Sequence, residues 1–227
     1  MRAAPVAVVQ ARMSSTRLPG KVLADLGGRT VLGWVLRRLS DSRELAEVAV
    51  ATSDDPGDDP VAEAARGHGA RVVRGPLADV LSRYAIAARK LGAEGLVRIT
   101  ADCPLIDPAV VDEVVAEWRA ADAAYVANVI EPRTFPAGMD TEVADAAALL
   151  AADAEATDAY DREHVTPFVR SRPERFRQLA VTLDPPRPDV RLTLDTPQDL
   201  ERLRAVVAAT GTGATLPELV AAADSLA

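Results

Sequence analysis

The sequence predicts an α/β fold, a mostly parallel sheet covered by helices on both faces. Three observations predict it. Short apolar runs such as VAVVQ and LVRIT alternate with segments whose apolar residues recur at helical spacing. Polar, turn-forming clusters follow several of those runs directly, where a parallel sheet carries its ligand site. The apolar content of 48% is poor in aromatics and rich in Ala, Val and Leu, which suits helices packed on a sheet. At 227 residues, one domain over 1–227 is expected.

The elements follow in chain order. Residues 6–10 are a buried strand, and 31–39 a helix with Leu32, Val35, Leu36 and Leu39 on one face. A second strand, 47–51, ends in Thr52, Ser53, Asp54 and Asp55; a helix over 60–68 and a strand over 70–74 come next. The helix 77–91 leads through Gly92 to the strand 96–100. Asp107 as N-cap and Pro108 at the first helical position open a helix over 108–121, and 124–129 reads as a strand. Residues 130–142, with Pro132, Pro136 and Gly138, form a loop or dimerisation arm. Helices over 144–156 and 161–171, strands over 176–183 and 190–194, and helices over 197–209 and 217–226 complete the chain. Asp195 and Thr196 are the caps of the helix at Pro197.

Charge narrows the partners. The chain carries −8 overall, yet its first 38 residues hold seven Lys or Arg against one acid, Asp25. A positive site on an acidic protein suits a small polyanion, not a nucleic-acid duplex, whose phosphates would be repelled nearly everywhere else. A single cysteine, Cys103, excludes an internal disulfide framework. No apolar stretch approaches the ~18 to 20 residues of a membrane span, so a cytoplasmic protein without membrane contact is expected.

Four places carry chemistry, each just after an expected strand. In VVQARMSSTRLPGKVL, Arg12 and Arg17 can fork around phosphate oxygens while Lys21 adds a mobile point charge. The string is no Walker loop, because Gly20-Lys21 is followed by Val22. In TADCPLID, Asp102 stands where it can hold a magnesium ion bridging those phosphates, and Asp107 is explained as a cap. Cys103 has neither His68 nor His164 as a sequence neighbour to pair with as a nucleophile. In LTLDTPQDLE, Asp195 is an N-cap or the second magnesium carboxylate, and Asp199 faces solvent or an arginine. In FPAGMDTEV and DREHVTPF, Asp140 and Glu142 can bind sugar hydroxyls; His164 either orients a substrate or belongs to a charged helix face with Arg162 and Glu163. Two histidines and one cysteine leave no zinc cluster.

These strings, with VATSDD and DVLSRY between them, resemble in order the cytidylyltransferases that activate sugars as CMP derivatives. The closest branch is the spore-coat polysaccharide biosynthesis F type; the acylneuraminate and Kdo enzymes are more distant. The resemblance spans nearly the whole chain. It implies a Rossmann-like nucleotidyltransferase fold, commonly dimeric, with CTP and a sugar or sugar acid as partners and Mg2+ on Asp102 and Asp195. It further implies that Arg12 and Lys21 grip the triphosphate with Arg17 assisting. The backbone around Gln10 and Ala11, with Ala51, Thr52 and Ser53, would meet base and ribose, and Arg83 joins them. Two positions depart from the pattern: Gln10 replaces the proline of the acidic-sugar enzymes, and Ala101 the glycine before the metal aspartate. The rival readings are a glycosyltransferase that uses a finished nucleotide sugar, and a nucleotide-binding protein without turnover.

Overall fold

The apolar runs of the first half become parallel neighbours. In the computed structural model, which describes residues 2–226, β1 (Val6–Gln10) lies between β2 (Glu47–Ser53) and β4 (Gly95–Thr100), and β3 (Arg71–Gly75) flanks β2. The sheet has seven strands in the order β3-β2-β1-β4-β6-β5-β7. β1 can be central because Val6 and Val8 pack into one core and Ala7 and Val9 into the other, as a strand covered on both faces requires. After β1 the chain builds outward to β3, then returns to place β4 on the opposite side. The carboxyl ends of β1 and β4 therefore open at the switch point of the sheet, where such folds hold ligands.

Helices cover both faces. α1 (Val31–Leu39), α2 (Asp59–Gly67), α4 (Pro108–Ala120), α8 (Pro197–Thr210) and α9 (Leu216–Ser225) bury apolar stripes in one core; α3 (Val80–Leu91) and α5 (Ala146–Glu155) bury theirs in the other. Asp107 caps α4 as the sequence suggests, its side chain accepting from the Ala109 N–H; Thr30 and Asp79 likewise accept from the Gly33 and Ser82 backbone N–H groups at the starts of α1 and α3. Asp107 also accepts from the Leu216 N–H with its second oxygen, joining α4 to α9.

The second half departs from expectation. Helix α5 starts later than predicted because residues 142–145 form β6 (Glu142–Asp145), antiparallel to both β4 and β5 (Tyr125–Ala127). β7 (Gln178–Ala180) is a short edge, and residues 190–194 make only one bridge, Arg191 to Ala137. The helix expected over 161–171 is two, α6 (Ala159–His164) and α7 (Pro167–Arg170). Between them Val165 has φ 73° and ψ −57°, and the Thr166 N–H donates to the His164 carbonyl at 2.9 Å. This is a γ-turn of the rarer, strained kind, held by a β-branched residue.

The loop 130–142 packs on its own chain instead of projecting as an arm. Phe135 and Met139 are buried, and Thr134 receives the Leu183 N–H on its hydroxyl and the Arg187 N–H on its carbonyl. Gly138 makes this possible: at φ 106° a Cβ would stand 2.8 Å from the Leu192 backbone. The loop thereby braces the segment that leads to Asp195.

Candidate active site

Lys21 is the centre of the site. Its ammonium donates to Asp102 Oδ2 and Asp195 Oδ1, each at 3.0 Å, and to the Leu194 carbonyl at 2.6 Å. Gly20, at φ 73°, turns the chain so that Lys21 begins a single 3-10 turn and points its stem inward. The Leu194 N–H donates to the Asp102 carbonyl at 2.8 Å, so the two acidic segments are also joined through backbone. Asp195 takes two more cations, Arg17 at 2.7 Å and Arg191 at 2.5 Å.

Asp195 is thus a site residue and not the helix cap. The cap is Thr196, whose hydroxyl accepts from the Asp199 N–H while the Asp199 carboxylate accepts from the Thr196 N–H, a capping box. Asp199 also meets Arg202 at 3.1 Å and accepts the Asp195 N–H, so its main task is to hold the helix start.

Burial pushes the Asp102 carboxyl upward, but the Lys21 ammonium and the Thr100 hydroxyl outweigh it and hold the group below its usual range. Cys103 lies beside it in the opposite condition. Burial first, then the Asp102 charge, drives its thiol well above the ordinary value, so the sulfur stays protonated.

A cleft of about 330 Å³ opens at these residues. Gln10, Ala11, Arg12 and Arg17 line it from the phosphate loop side, with Lys21, Asp102 and Asp195 at its base. Arg12 approaches Glu163 at 3.7 Å, and His164 completes that wall. Arg83 enters from α3. It is 2% exposed, yet its Nε and Nη1 have no hydrogen-bond partner. A buried guanidinium without acceptors is costly, so Arg83 is the side chain here most in need of a ligand.

Five expected contacts lie elsewhere. Ala51, Thr52 and Ser53 are fully enclosed and do not line the cleft: the Ala51 carbonyl accepts from the Ala11 N–H, and Ser53 is held by Asp58. Asp140 pairs with Arg133 of its own loop, the cation nearest to it once the loop folds back. Glu142 sits inside the sheet on β6, 3% exposed, bound to Arg98 and to the hydroxyls of Tyr125 and Thr166. With its oxygens so occupied it touches no cleft.

Three residues escaped the sequence reading. Asp58 accepts the Met13 N–H at 2.6 Å and the Ser53 N–H at 3.2 Å, tying the phosphate loop to the end of β2. Nothing in SDDPGDDP marks which of four acids turns inward. Arg98 did leave a signal, as a lone charge within the apolar run LVRIT, which needs a buried partner. Thr166 had none.

The donor set suits magnesium. Asp102, Asp195 and the Leu194 carbonyl are hard oxygens already gathered around a cation, the Lys21 ammonium. Among the described residues no group of three or more His, Cys, Asp or Glu side chains could hold a metal ion. Magnesium needs no such group of its own: it binds through one or two carboxylates and takes the rest of its shell from substrate phosphates and water.

The family model described as "Cytidylyltransferase" matches residues 6–218. The spore coat polysaccharide biosynthesis protein SpsF of Bacillus subtilis is 32% identical, over 88% of this chain and 84% of its own. A 3-deoxy-manno-octulosonate cytidylyltransferase of Geobacter sulfurreducens is 41% identical over 48% of this chain and 43% of its own. The solved structure of a cytidylyltransferase from Leptospira borgpetersenii superposes with a TM-score of 0.93 at 32% identity, covering 99% of this chain and 95% of that one. Matched by the family model over residues 6–218 and by relatives and a solved structure over nearly its whole length, this chain is a nucleotidyltransferase that belongs to the cytidylyltransferase family.

Proposed function

We propose that the protein transfers CMP from CTP to a hydroxyl of a sugar or sugar acid, with magnesium as cofactor and pyrophosphate as the leaving group. The observation that carries this reading is the convergence of Asp102 and Asp195 on Lys21 in the same cleft as the unpartnered Arg83. The hydroxyl oxygen forms the new bond to the α-phosphorus, and the bond from that phosphorus to the β-phosphate oxygen breaks. The proton of the attacking hydroxyl goes to solvent.

The cleft's charges are paired with one another: Lys21 with both aspartates, Arg17 with Asp195, Arg12 with Glu163. A triphosphate with its counter-cation exchanges those pairs. Arg12, Arg17 and Lys21 turn to phosphate oxygens and neutralise the charge that builds on departing pyrophosphate. Asp102 and Asp195 would hold the metal. When bound, magnesium neutralises the α-phosphate and lowers the pKa of the attacking hydroxyl.

Arg83 supports cytosine as the base. A guanidinium only donates, and cytosine offers two adjacent acceptors, O2 and N3, where uracil offers one acceptor and an N–H. The same reading expects a cytoplasmic homodimer, which light scattering checks. The test of function is calorimetric titration with CTP, UTP, GTP and ATP in magnesium, followed by pyrophosphate release with sugars and sugar acids. CTP bound tightest, and pyrophosphate released only with an acceptor, bear the proposal out. Consumption of a CMP-sugar without pyrophosphate chemistry sinks it in favour of glycosyl transfer.

A further inference from the structure

A buried polar chain runs beneath the cleft floor. Gln10, Arg98 and Glu142 lie on one face of three neighbouring strands, β1, β4 and β6, with Arg98 opposite Glu142 in register. Arg98 Nε donates to Gln10 Oε1 at 3.1 Å and Nη1 donates to Glu142 Oε1. The other Glu142 oxygen accepts from Tyr125 and, at 2.7 Å, from Thr166.

The chain ends at one cleft residue, Gln10, and at Thr166, which adjoins the turn carrying a second, His164. At one end, arginine has no acceptor, so the Gln10 atom facing it must be the carboxamide oxygen. The Nε2 amino group is what remains for the cleft, and among the described residues it has no protein partner. At the other end, Thr166 is the residue whose N–H closes the strained turn on His164. Strain of this sort persists only where the surroundings enforce it. Glu142 supplies that enforcement. Burial opposes the charge on both partners, and each charge outweighs it for the other, so Glu142 remains a carboxylate and Arg98 a cation.

The direction of the chain says which half of the cleft it serves. Arg83 reaches in from α3, which packs over β1, β2 and β3 and against α6, the helix that ends at His164. Gln10 turns to β4, on the side of β1 away from β2 and β3. Resting on the nucleotidyl-transfer reading above, we propose that Gln10 is a specificity-determining residue for the acceptor sugar: its Nε2 donates to an accepting oxygen of that sugar. Arg98 and Glu142 are positioning residues, which aim the Gln10 amino group and, through Thr166, fix the turn that presents His164. The accepting oxygen belongs to a carboxylate in an acidic sugar or to a hydroxyl in a neutral one.

The test uses the full chain with magnesium and CTP, and two acceptor sets, acidic (N-acetylneuraminate, 3-deoxy-manno-octulosonate) and neutral (hexoses and their N-acetylated amines). Gln10→Glu keeps the oxygen that Arg98 binds and replaces the donor by an acceptor. It should raise the acceptor KM at least tenfold and leave CTP affinity within twofold by calorimetry, with the larger loss on the acidic set if the oxygen is a carboxylate. Thr166→Val leaves the ion pair in place and removes only the link to the turn; it too should raise the acceptor KM with CTP binding unchanged. An unaltered acceptor KM in Gln10→Glu, or CTP affinity falling in parallel, overturns the assignment of Gln10. An unaltered acceptor KM in Thr166→Val overturns the positioning role of Glu142. A wild-type chain that binds CTP but releases no pyrophosphate with either set overturns the transfer reading, and this inference with it.

Discussion

Asp102 and Asp195, far apart in the chain, each place a carboxylate oxygen 3.0 Å from one ammonium, so the two oxygens are at most twice that distance apart. Two carboxylates this close repel unless a cation stands between them. Lys21 is that cation, and on the proposed reading a nucleotide with its metal exchanges the pair. Asp102→Asn and Asp195→Asn should each lower pyrophosphate release at least about a hundredfold, the usual scale for removing a charged transition-state contact. Lys21→Ala should do the same. Chelation of magnesium should abolish turnover of the wild type, and an Asp102→Asn enzyme with full activity rejects the metal assignment.

Asp58 predicts a different kind of loss. Its carboxylate holds the Met13 N–H and the Ser53 N–H and hydroxyl, and it touches no part of the cleft. Asp58→Ala takes the acceptor from all three donors, a cost of roughly 1 to 3 kcal/mol in stability for each that stays unsatisfied. Because Met13 follows Arg12, the loop should also loosen. The expected result is a lower urea midpoint together with a CTP KM raised severalfold and a nearly unchanged kcat. A raised CTP KM without loss of stability contradicts the structural role.

What the sequence made legible follows from the range of the interactions involved. Strands β1 to β4 and the cap Asp107 depend on local periodicity and on side chains bonding a few residues away, and the sequence places them to within a few residues. Strand β6 is split by the sequence reading between the loop 130–142 and a helix from Ala144, since the alanines that follow are good helix formers and only pairing with β4 and β5 decides otherwise. Asp102, Asp195 and Lys21 were picked out by type and by their place after strands; Glu142 was picked out by the same logic and lies in the core. The difference is Arg98, whose position opposite Glu142 is a matter of strand register and has no trace in spacing. The Arg83 guanidinium was foreseen only through the family's motif, since its lack of partners is visible only in three dimensions.

Gly138 links loop packing to the site. Its φ of 106° and the 2.8 Å approach of a would-be Cβ to the Leu192 backbone leave no room for alanine. Gly138→Ala should cost more than about 1 kcal/mol from the backbone conformation alone. The displaced segment runs directly into Leu194 and Asp195, two of the three Lys21 acceptors. Activity should therefore fall by more than the lost stability explains at a temperature where the variant is still folded. Thermal melts alongside kcat measurements separate the two, and a destabilised variant with unchanged kcat contradicts the coupling.

The Glu142 and Arg98 pair fixes a pH dependence. Burial raises the Glu142 carboxyl, but Arg98 and the Tyr125 and Thr166 hydroxyls outweigh it, and the folded value lies below the ordinary one. A group depressed in the folded state contributes stability that is present above its unfolded value, near pH 4.3, and is lost as pH falls through the folded value. Glu142→Gln removes the charge at every pH and leaves Arg98 buried without a counterion, a loss of about 3 to 5 kcal/mol where the wild type is fully ionised. Urea unfolding of both proteins at pH 7 should show that gap. Repeated at pH 3 to 4, the gap should narrow, because acid protonates Glu142 in the wild type and brings it toward the variant. A gap that widens with acid would mean that the carboxyl is raised in the folded protein and that burial, not Arg98, governs it.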